Sequence, residues 1–298
     1  MIGVRDRIQL ITSSSLLVRA LPLELKTNLL KQNILQSKEQ GITNEKYLDR
    51  DVVISLTTYG KRIYTVALAI ESLMEQTLKA NEIVLWLDYS FRNQTLPMSI
   101  RKLQERGLTV KYCEDIKSYK KLIPALKAYP DSIIITADDD LLYEYDVVEK
   151  LVAGYKTNPK IIQCNRMHKM ILNAKKKLLP YDEWIFECQE VDNPDILNFA
   201  TGCAGVLYPP HVFSEQVFDE KTFMAICPSA DDIWFKAMTM LTDTLVSKVY
   251  THDKGGRDYL IIEECQDIAL SLENNGNKKN DVQLRAVFDK YNLYEKLC

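Results

Sequence analysis

The chain has 298 residues, of which 46% are hydrophobic and 27% are charged. This composition suits a globular protein and excludes disorder as a description of the whole chain. The formal net charge of -3 argues against a dedicated nucleic-acid binder, because neutralising phosphates takes a strongly basic surface. The seven cysteines include no C-x-x-C pair, which favours free thiols in a reducing compartment over disulfides or a zinc site.

Residues 1–49 are predicted to form an N-terminal helical extension. Residues 1–31 contain five arginines and lysines but only two acidic residues, together with loosely spaced leucines. A basic amphipathic helix can lie on an anionic bilayer, so weak and salt-sensitive membrane contact through residues 1–40 is one interpretation. Packing of these leucines on the rest of the protein, or on a second copy, is the other. We expect a cytoplasmic protein, at most peripheral at the inner face of a membrane, because the sequence has neither a secretory signal nor a bilayer-spanning run.

From residue 50 onward, strand-like and helix-like segments alternate. Val66, Ile70 and Leu73 recur on one face of a predicted helix, and the intervening apolar runs predict strands. These strands are Val52–Thr57, Ile83–Leu87, Leu108–Tyr112, Ser132–Thr136 and Lys160–Cys164. The alternation predicts an α/β fold with a mostly parallel sheet and helices on both faces. We place a catalytic domain at residues 50–262, with halves at 50–165 and 166–262, and a helical segment at 263–298.

Three consecutive aspartates, Asp138, Asp139 and Asp140, follow the predicted strand Ser132–Thr136. Adjacent carboxylates repel one another and are costly to bury, so they must face water or share a positive partner. One interpretation is a solvated turn before the next helix. The other is a divalent cation at the carboxyl end of a parallel strand, where open α/β sheets bind their ligands.

A second acidic pair, Asp231 and Asp232, opens a later predicted helix. Ser229 stands three residues before Asp232 in a capping-box arrangement, and the helix dipole stabilises carboxylates in a first turn. Helix capping and chemistry are therefore both open for this pair. A glycine-rich nucleotide loop is missing, since "TTYGKR" contains a single glycine.

Four elements, taken in chain order, resemble glycosyltransferases of the GT-A (Rossmann-like) fold. They are a first strand ending in "SLTTYGKR", a second ending in Asp88 of "IVLWLD", the run "TADDD", and "ADDIWF" at a helix start. More narrowly, they resemble bacterial enzymes related to family 2 that build capsular or lipopolysaccharide glycans. The resemblance covers residues 50–255, although the first strand departs from the Pro and Asn pattern usual in the family.

The resemblance implies a metal-dependent site for a nucleoside-diphosphate sugar. Asp140 would bind Mn²⁺ or Mg²⁺, Asp138 would meet the ribose or the metal shell, Asp139 would support both, and His252 would be a third ligand. Oxygen ligation together with a diphosphate suits these two metals rather than zinc. The other implied nucleotide-sugar contacts are Thr57, Thr58, Tyr59, Arg62, Asp88 as the base-binding carboxylate, and either Lys120 or Lys121 on the diphosphate.

On the acceptor side, the resemblance implies that Asp232, or else Asp231, is the general base of an inverting transfer to a glycan or glycolipid. Trp234 and Tyr208 are candidates either for sugar stacking or for core packing. The resulting hypothesis is a glycosyltransferase of bacterial surface polysaccharide synthesis, with no nucleic-acid partner. The alternatives are another metal-assisted phosphate enzyme, such as a nucleotidyltransferase, and an inactive carbohydrate-binding protein of the same fold.

Overall fold

The structure is a computed structural model that describes residues 22–262 and 279–297. It contains the strands β1 (Val52–Thr57), β2 (Glu82–Asp88), β3 (Leu108–Cys113), β4 (Ile133–Thr136), β5 (Leu141–Tyr143), β6 (Ile162–Cys164), β7 (Met167–Lys169), β8 (Asn198–Ala200), β9 (Val206–Tyr208), β10 (Val246–Lys248) and β11 (Tyr259–Ile261). Seven of them form one sheet in the order β10-β6-β9-β4-β1-β2-β3, while β11 pairs with β5 and β7 with β8.

The seven-stranded sheet is mostly parallel. Only β9 runs antiparallel to its neighbours β4 and β6, and the remaining pairings in this sheet are parallel. All five predicted strands are present, and the largest difference in bounds is at β6, which begins at Ile162 rather than Lys160. The predicted α/β fold class is confirmed.

Helices cover both faces of this sheet. The helices of the described residues are α1 (residues 22–36), α2 (Val66–Met74), α3 (Met98–Gln104), α4 (Ile123–Ala128), α5 (Val147–Thr157), α6 (Glu220–Ile226), α7 (Asp231–Met240) and α8 (Lys279–Tyr291). Along β1, Val52 and Ile54 enter a core shared with α2 and α5, whereas Val53 enters a second core shared with α4, α7 and α8. Burial on both faces explains why most residues of β1 are apolar, with Ser55 the one polar residue between Val52 and Leu56.

The described part of the N-terminal extension packs on the α/β core of the protein. In α1, Leu30 and Ile34 are buried in the first core, and Lys26 Nζ donates to the Tyr143 carbonyl at 2.8 Å. Leu25 and Leu29 stay exposed, and residues 1–21 lie outside the described residues. No helix in residues 22–262 or 279–297 has the length and apolar character needed to cross a bilayer. Membrane contact stays a prediction, which co-sedimentation with anionic vesicles at low and high salt would measure.

A buried ion pair joins α2 to the loop that follows α3. The Arg106 Nη1 atom lies 2.6 Å from Glu71 Oε2, and their side chains are 6% and 0% exposed. Arg106 Nε also donates to the Glu39 carbonyl at 2.7 Å, and the Gly41 N–H donates to the Arg106 carbonyl at 2.9 Å. The same guanidinium therefore ties the segment after α1 to the domain.

Glu71→Ala is expected to lower the free energy of unfolding by about 3–5 kcal/mol, because Arg106 would stay buried without its carboxylate. Urea denaturation followed by circular dichroism measures this loss. The matched control is the double variant Glu71→Leu with Arg106→Met, which replaces both charges by apolar groups and should lose less stability. A single variant as stable as the wild type, or less harmful than the double variant, contradicts the prediction.

Candidate active site

The carboxyl ends of β1, β2 and β4 meet at one edge of the sheet. β1 pairs in parallel with both β2 and β4, so the residues that follow these strands become neighbours. Thr58 follows β1, Asp88 is the last residue of β2, and the aspartate triplet begins two residues after Thr136 at the end of β4. The topology thus gathers polar residues at the edge where open α/β sheets bind ligands.

Asp139 holds the acidic turn through both of its carboxylate oxygens. Thr58 Oγ1 donates to Asp139 Oδ2 at 2.6 Å, and Arg62 Nη1 donates to Asp139 Oδ1 at 2.7 Å. Burial raises the pKa of Asp139, although Arg62 and Thr58 oppose the rise by favouring the charged form. Arg62 Nη1 also lies 3.2 Å from Asp140 Oδ2, so one guanidinium links two of the three aspartates.

Lys121 connects the acidic triplet to the acidic pair of α7. Its Nζ lies 3.3 Å from Asp138 Oδ1 and 3.3 Å from Asp231 Oδ2. Burial alone would lower the pKa of Lys121, but the charges of Asp138, Asp231 and Asp232 outweigh it and raise that pKa well above its usual value. Lys121 is therefore a fixed cation between the two acidic groups.

Asp231 and Asp232 are not held by the predicted capping box. The residue before α7 is Ala230, with no side-chain cap, and Ser229 instead contacts Gln283. Asp231 Oδ1 accepts a hydrogen bond from Ser118 Oγ at 3.0 Å, and Asp232 Oδ2 accepts one from the Gly202 N–H at 2.9 Å. The Ser229 capping box is therefore not formed, while Asp231 and Asp232 do lie in the first turn of α7, close to Lys121.

The surroundings of Asp232 favour the protonated form of its carboxyl group. Burial and the charge of Asp231 raise the pKa of Asp232 to about 7, against the opposing effects of Lys121 and the Gly202 N–H. A base is most effective when its pKa is close to the working pH. A Cβ at position 202 would lie 2.6 Å from Lys121 Nζ and 2.7 Å from Asp232 Oδ1, so a larger residue than Gly202 would displace these two side chains.

The two lysines that the sequence leaves as alternatives have different partners. Lys121 lies in the cluster just described, whereas Lys120 Nζ lies 2.6 Å from Asp115 Oδ1 and 3.6 Å from Asp88 Oδ2. Asp88 Oδ1 accepts the Ser90 N–H at 2.9 Å. Lys121 is therefore the better candidate for a diphosphate contact. Asp88 lies near Lys120, the residue that precedes Lys121 in the chain.

The remaining predicted nucleotide contacts lie around the end of β1. Thr57 Oγ1 donates to the Trp86 carbonyl at 2.8 Å, so this hydroxyl forms a hydrogen bond between β1 and β2. Tyr59 is 38% exposed, and the Arg62 guanidinium carbon lies 5.3 Å from the centroid of its ring. An exposed ring supported by a buried arginine can present a face to a ligand.

Asp138 and Asp140 fit a hard divalent cation by their chemistry and their accessibility. Their side chains are 24% and 17% exposed and already lie near cationic groups of Lys121 and Arg62. Within residues 22–262 and 279–297, no three His, Cys, Asp or Glu side chains are grouped to hold a metal by themselves. Two carboxylates are enough for Mg²⁺ or Mn²⁺ when substrate phosphates supply further oxygens.

The His252 side chain contacts Asp146, a carboxylate outside the aspartate triplet. Its Nε2 is 2.9 Å from Asp146 Oδ2, and its backbone N–H donates to Asp258 Oδ2 at 2.7 Å. The imidazole side chain is 57% exposed, and its ring centroid lies 6.0 Å from that of Tyr250. To act as the predicted third ligand, His252 would have to leave Asp146.

Two aromatic candidates for sugar stacking belong to the core. Trp234 is 0% exposed and Tyr208 is 5% exposed, and Trp234 Nε1 donates to the Val217 carbonyl at 3.2 Å. Buried rings have no face to offer a ligand. The core-packing interpretation is therefore correct for both residues, and the stacking interpretation is wrong.

Ser118 is a site residue that the sequence interpretation missed. It lies with Lys121 in a 3₁₀ helix, Lys117–Lys121, where side chains three residues apart eclipse one another. Both side chains consequently meet Asp231. The signal was present in the i, i+3 spacing of "SYKK", but it depends on a 3₁₀ rather than an α-helical turn.

Three solved structures of other proteins are similar to this chain. The mannosyltransferase PcManGT from Pyrobaculum calidifontis, in complex with GDP-Man and Mn²⁺, is 16% identical over 55% of this chain and 47% of its own, with a TM-score of 0.33. S. aureus TarS 1-349 in complex with UDP is 12% identical over 68% of this chain and 58% of its own, with a TM-score of 0.44. The inositol-1-phosphate CTP transferase from T. maritima is 11% identical over 83% of this chain and 96% of its own, with a TM-score of 0.41.

This chain spans about half the length of the mannosyltransferase. No curated protein sequence matches the chain. The profile of glycosyl transferase family 2, however, matches residues 54–211, more than half of the 298 residues. That match includes the last four residues of β1, all of β2, the aspartate triplet and Gly202, which is the part of the fold that builds most of the site. The chain therefore belongs to glycosyl transferase family 2 and has its GT-A fold.

Proposed function

We propose that this protein transfers a sugar from a nucleoside-diphosphate sugar to a hydroxyl group of a glycan or lipid-linked glycan. The observation that carries the proposal is the position of Lys121, whose ammonium lies 3.3 Å from both Asp138 and Asp231. It joins a candidate donor site and a candidate acceptor base in one cluster. The proposal includes the role in bacterial surface polysaccharide synthesis that the resemblance implies, for which a location at the inner face of a membrane would be suitable.

On the donor side, Asp138 and Asp140 would hold Mn²⁺ or Mg²⁺, and His252 could complete the ligand set. When bound, the metal would stabilise the negative charge that develops on the leaving diphosphate. Lys121 and Arg62 would add fixed positive charge beside the same oxygens. Asp139 would keep the turn in place through Thr58 and Arg62.

The nucleoside would lie along the ends of β1 and β2. Asp88 carries a carboxylate that can accept a hydrogen bond from an imide N–H of the base, and the nearby Lys120 favours its charged form. Thr57, Thr58 and Tyr59 would line the other side of the nucleotide. These roles follow from position at the carboxyl edge of a parallel sheet.

On the acceptor side, Asp232 would take the proton of the attacking hydroxyl. The acceptor oxygen would form its bond to the anomeric carbon as the bond from that carbon to the diphosphate oxygen breaks, which inverts the configuration. The Gly202 N–H fixes one oxygen of Asp232, which leaves the other for the proton. Asp231, held by Ser118, would position Lys121 and help to raise the pKa of Asp232.

The rate of transfer is expected to rise with pH through about 7 and then level off. Burial and the Asp231 charge raise the pKa of Asp232 to about 7, and the base works only in its deprotonated form, so activity is lost as the pH falls below that value. Initial rates of nucleoside diphosphate release between pH 5 and 9 measure the profile. A rate that stays constant from pH 5 to 8 contradicts the assignment.

The experiment that tests the function is a panel of nucleotide sugars with Mn²⁺, followed by nucleoside diphosphate release. Slow hydrolysis of one donor is expected even without an acceptor. A nucleotidyltransferase would instead release pyrophosphate from a nucleoside triphosphate and a sugar phosphate, so the same protein is assayed with that pair. A carbohydrate-binding protein without catalysis would release neither product.

A further inference from the structure

We propose that Tyr181, Phe186 and Glu187 form the acceptor subsite beside Asp232, and that its ligand is a pyranose ring. These three residues are called the acceptor wall below. The inference rests on the proposed function and adds to it the place and the chemical class of the acceptor. In the proposed subsite, Phe186 takes the sugar-stacking role for which Trp234 and Tyr208 were candidates, since the rings of those two residues are buried.

The acceptor wall is part of the irregular segment between β7 and β8. Two backbone hydrogen bonds between Lys169 and Ile185, of 2.9 and 3.1 Å, pin this segment to β7. Tyr181 lies in a short 3₁₀ turn, and the following Trp184 is buried, with its Nε1 donating to the Leu179 carbonyl. The buried Trp184 therefore anchors this segment in the second hydrophobic core.

A chain of contacts connects the wall to the proposed base. Glu187 Oε1 lies 3.1 Å from Arg166 Nη2, and Arg166 Nη1 donates to Thr201 Oγ1 at 3.2 Å. The residue after Thr201 is Gly202, whose N–H donates to Asp232. Burial and the negative charge of Asp232 also raise the pKa of Tyr181. The wall is thus linked to Asp232 through Arg166, Thr201 and Gly202.

Phe186 is exposed and yet held in place, which is unusual for a surface phenylalanine. Its side chain is 46% exposed, while its ring centroid lies 4.6 Å from that of His168 and 5.5 Å from that of Tyr181. His168 Nδ1 accepts the Glu187 N–H at 3.0 Å. Burial and the charge of Arg166 lower the pKa of His168 to about 4, so it remains a neutral acceptor at pH 7.

The polar part of the wall suits the hydroxyl edge of a sugar. Glu187 is bound by the guanidinium of Arg257 and by that of Arg166. Burial would raise the pKa of Glu187, but the two arginines outweigh it and lower that pKa. The resulting carboxylate accepts hydrogen bonds while the arginines donate them. A pyranose has an apolar face for the Phe186 ring and hydroxyls for these charges, so its chemistry matches that of the wall.

The test compares Phe186→Ala with the matched control Ile185→Ala, because the neighbouring Ile185 is similarly exposed at 52% and has no aromatic face. The probes are methyl glycosides of the common hexoses and N-acetylhexosamines, with the nucleotide sugar that the wild type hydrolyses. The ratio of glycoside transfer to donor hydrolysis should fall about tenfold in Phe186→Ala. It should stay unchanged in Ile185→Ala and recover in Phe186→Tyr. Equal ratios in wild type and Phe186→Ala, or an equal loss in both alanine variants, overturn the proposal.

Ligand-observed saturation-transfer NMR with the same glycosides decides the subsite without turnover. The wild type should transfer saturation to the ring protons of at least one glycoside, and Phe186→Ala should lose that signal. No transfer from the wild type to any glycoside overturns the acceptor wall. Failure of the proposed function has a different signature, which is the absence of nucleoside diphosphate release from every nucleotide sugar.

Discussion

Asp232→Asn is expected to lower kcat for sugar transfer by about 10²-fold or more, the loss typical of removing a general base. Asparagine has almost the same shape, and its amide oxygen can still accept the Gly202 N–H that Asp232 accepts at 2.9 Å. It cannot take a proton from the acceptor hydroxyl. Initial rates at saturating donor and acceptor measure the loss, and calorimetry should show donor affinity little changed.

The matched control is Asp231→Asn. Asp231 is bound by Ser118 and lies near Lys121, so its loss should disturb positioning and cost less turnover than the loss of Asp232. It should also shift the rise in rate to lower pH, because the Asp231 charge helps to raise the pKa of Asp232. If only Asp231→Asn abolishes turnover, the base is Asp231. If neither change matters, the pair is not catalytic.

The sequence predicted the sheet well because burial on both faces leaves a strong signal. β1 sends Val52 and Ile54 into one core and Val53 into the other, so its residues are mostly apolar on both faces, with Ser55 the exception between Val52 and Leu56. Three-residue strands such as β7 and β8 lack that signal. Their positions depend on tertiary pairing, for instance of Met167 with Ala200, which no local pattern encodes.

The candidate site was partly predictable for a topological reason. Residues that follow adjacent parallel strands must meet at one edge, so Thr58 and Asp139 could be expected to be close without any knowledge of side-chain geometry. Distinguishing Lys121 from Lys120 needed the 3₁₀ turn, which sets the direction of each side chain. Phe186 could not be recognised, because the proposed role depends on how its ring packs against His168 and Tyr181, which no local pattern encodes.

Metal removal is expected to abolish activity, and Mn²⁺ or Mg²⁺ is expected to restore it. Two accessible carboxylates, Asp138 and Asp140, lie on one turn, and a leaving diphosphate needs its charge stabilised. The assay is nucleoside diphosphate release in EDTA, followed by titration with each metal. Full activity in EDTA contradicts the metal-dependent mechanism.

Asp140→Ala tests the same site by mutation and should reduce activity to background while the melting temperature stays close to that of the wild type. Arg62 keeps its 2.7 Å hydrogen bond to Asp139 when Asp140 is removed, so the turn retains its anchor. Asp139→Ala is the matched variant, and it should lower the melting temperature because it leaves the buried Arg62 and Thr58 without their shared carboxylate. Mn²⁺ binding followed by electron paramagnetic resonance separates the two effects, since only Asp140→Ala should weaken binding in the folded protein. Wild-type activity in Asp140→Ala would remove this residue from the metal site.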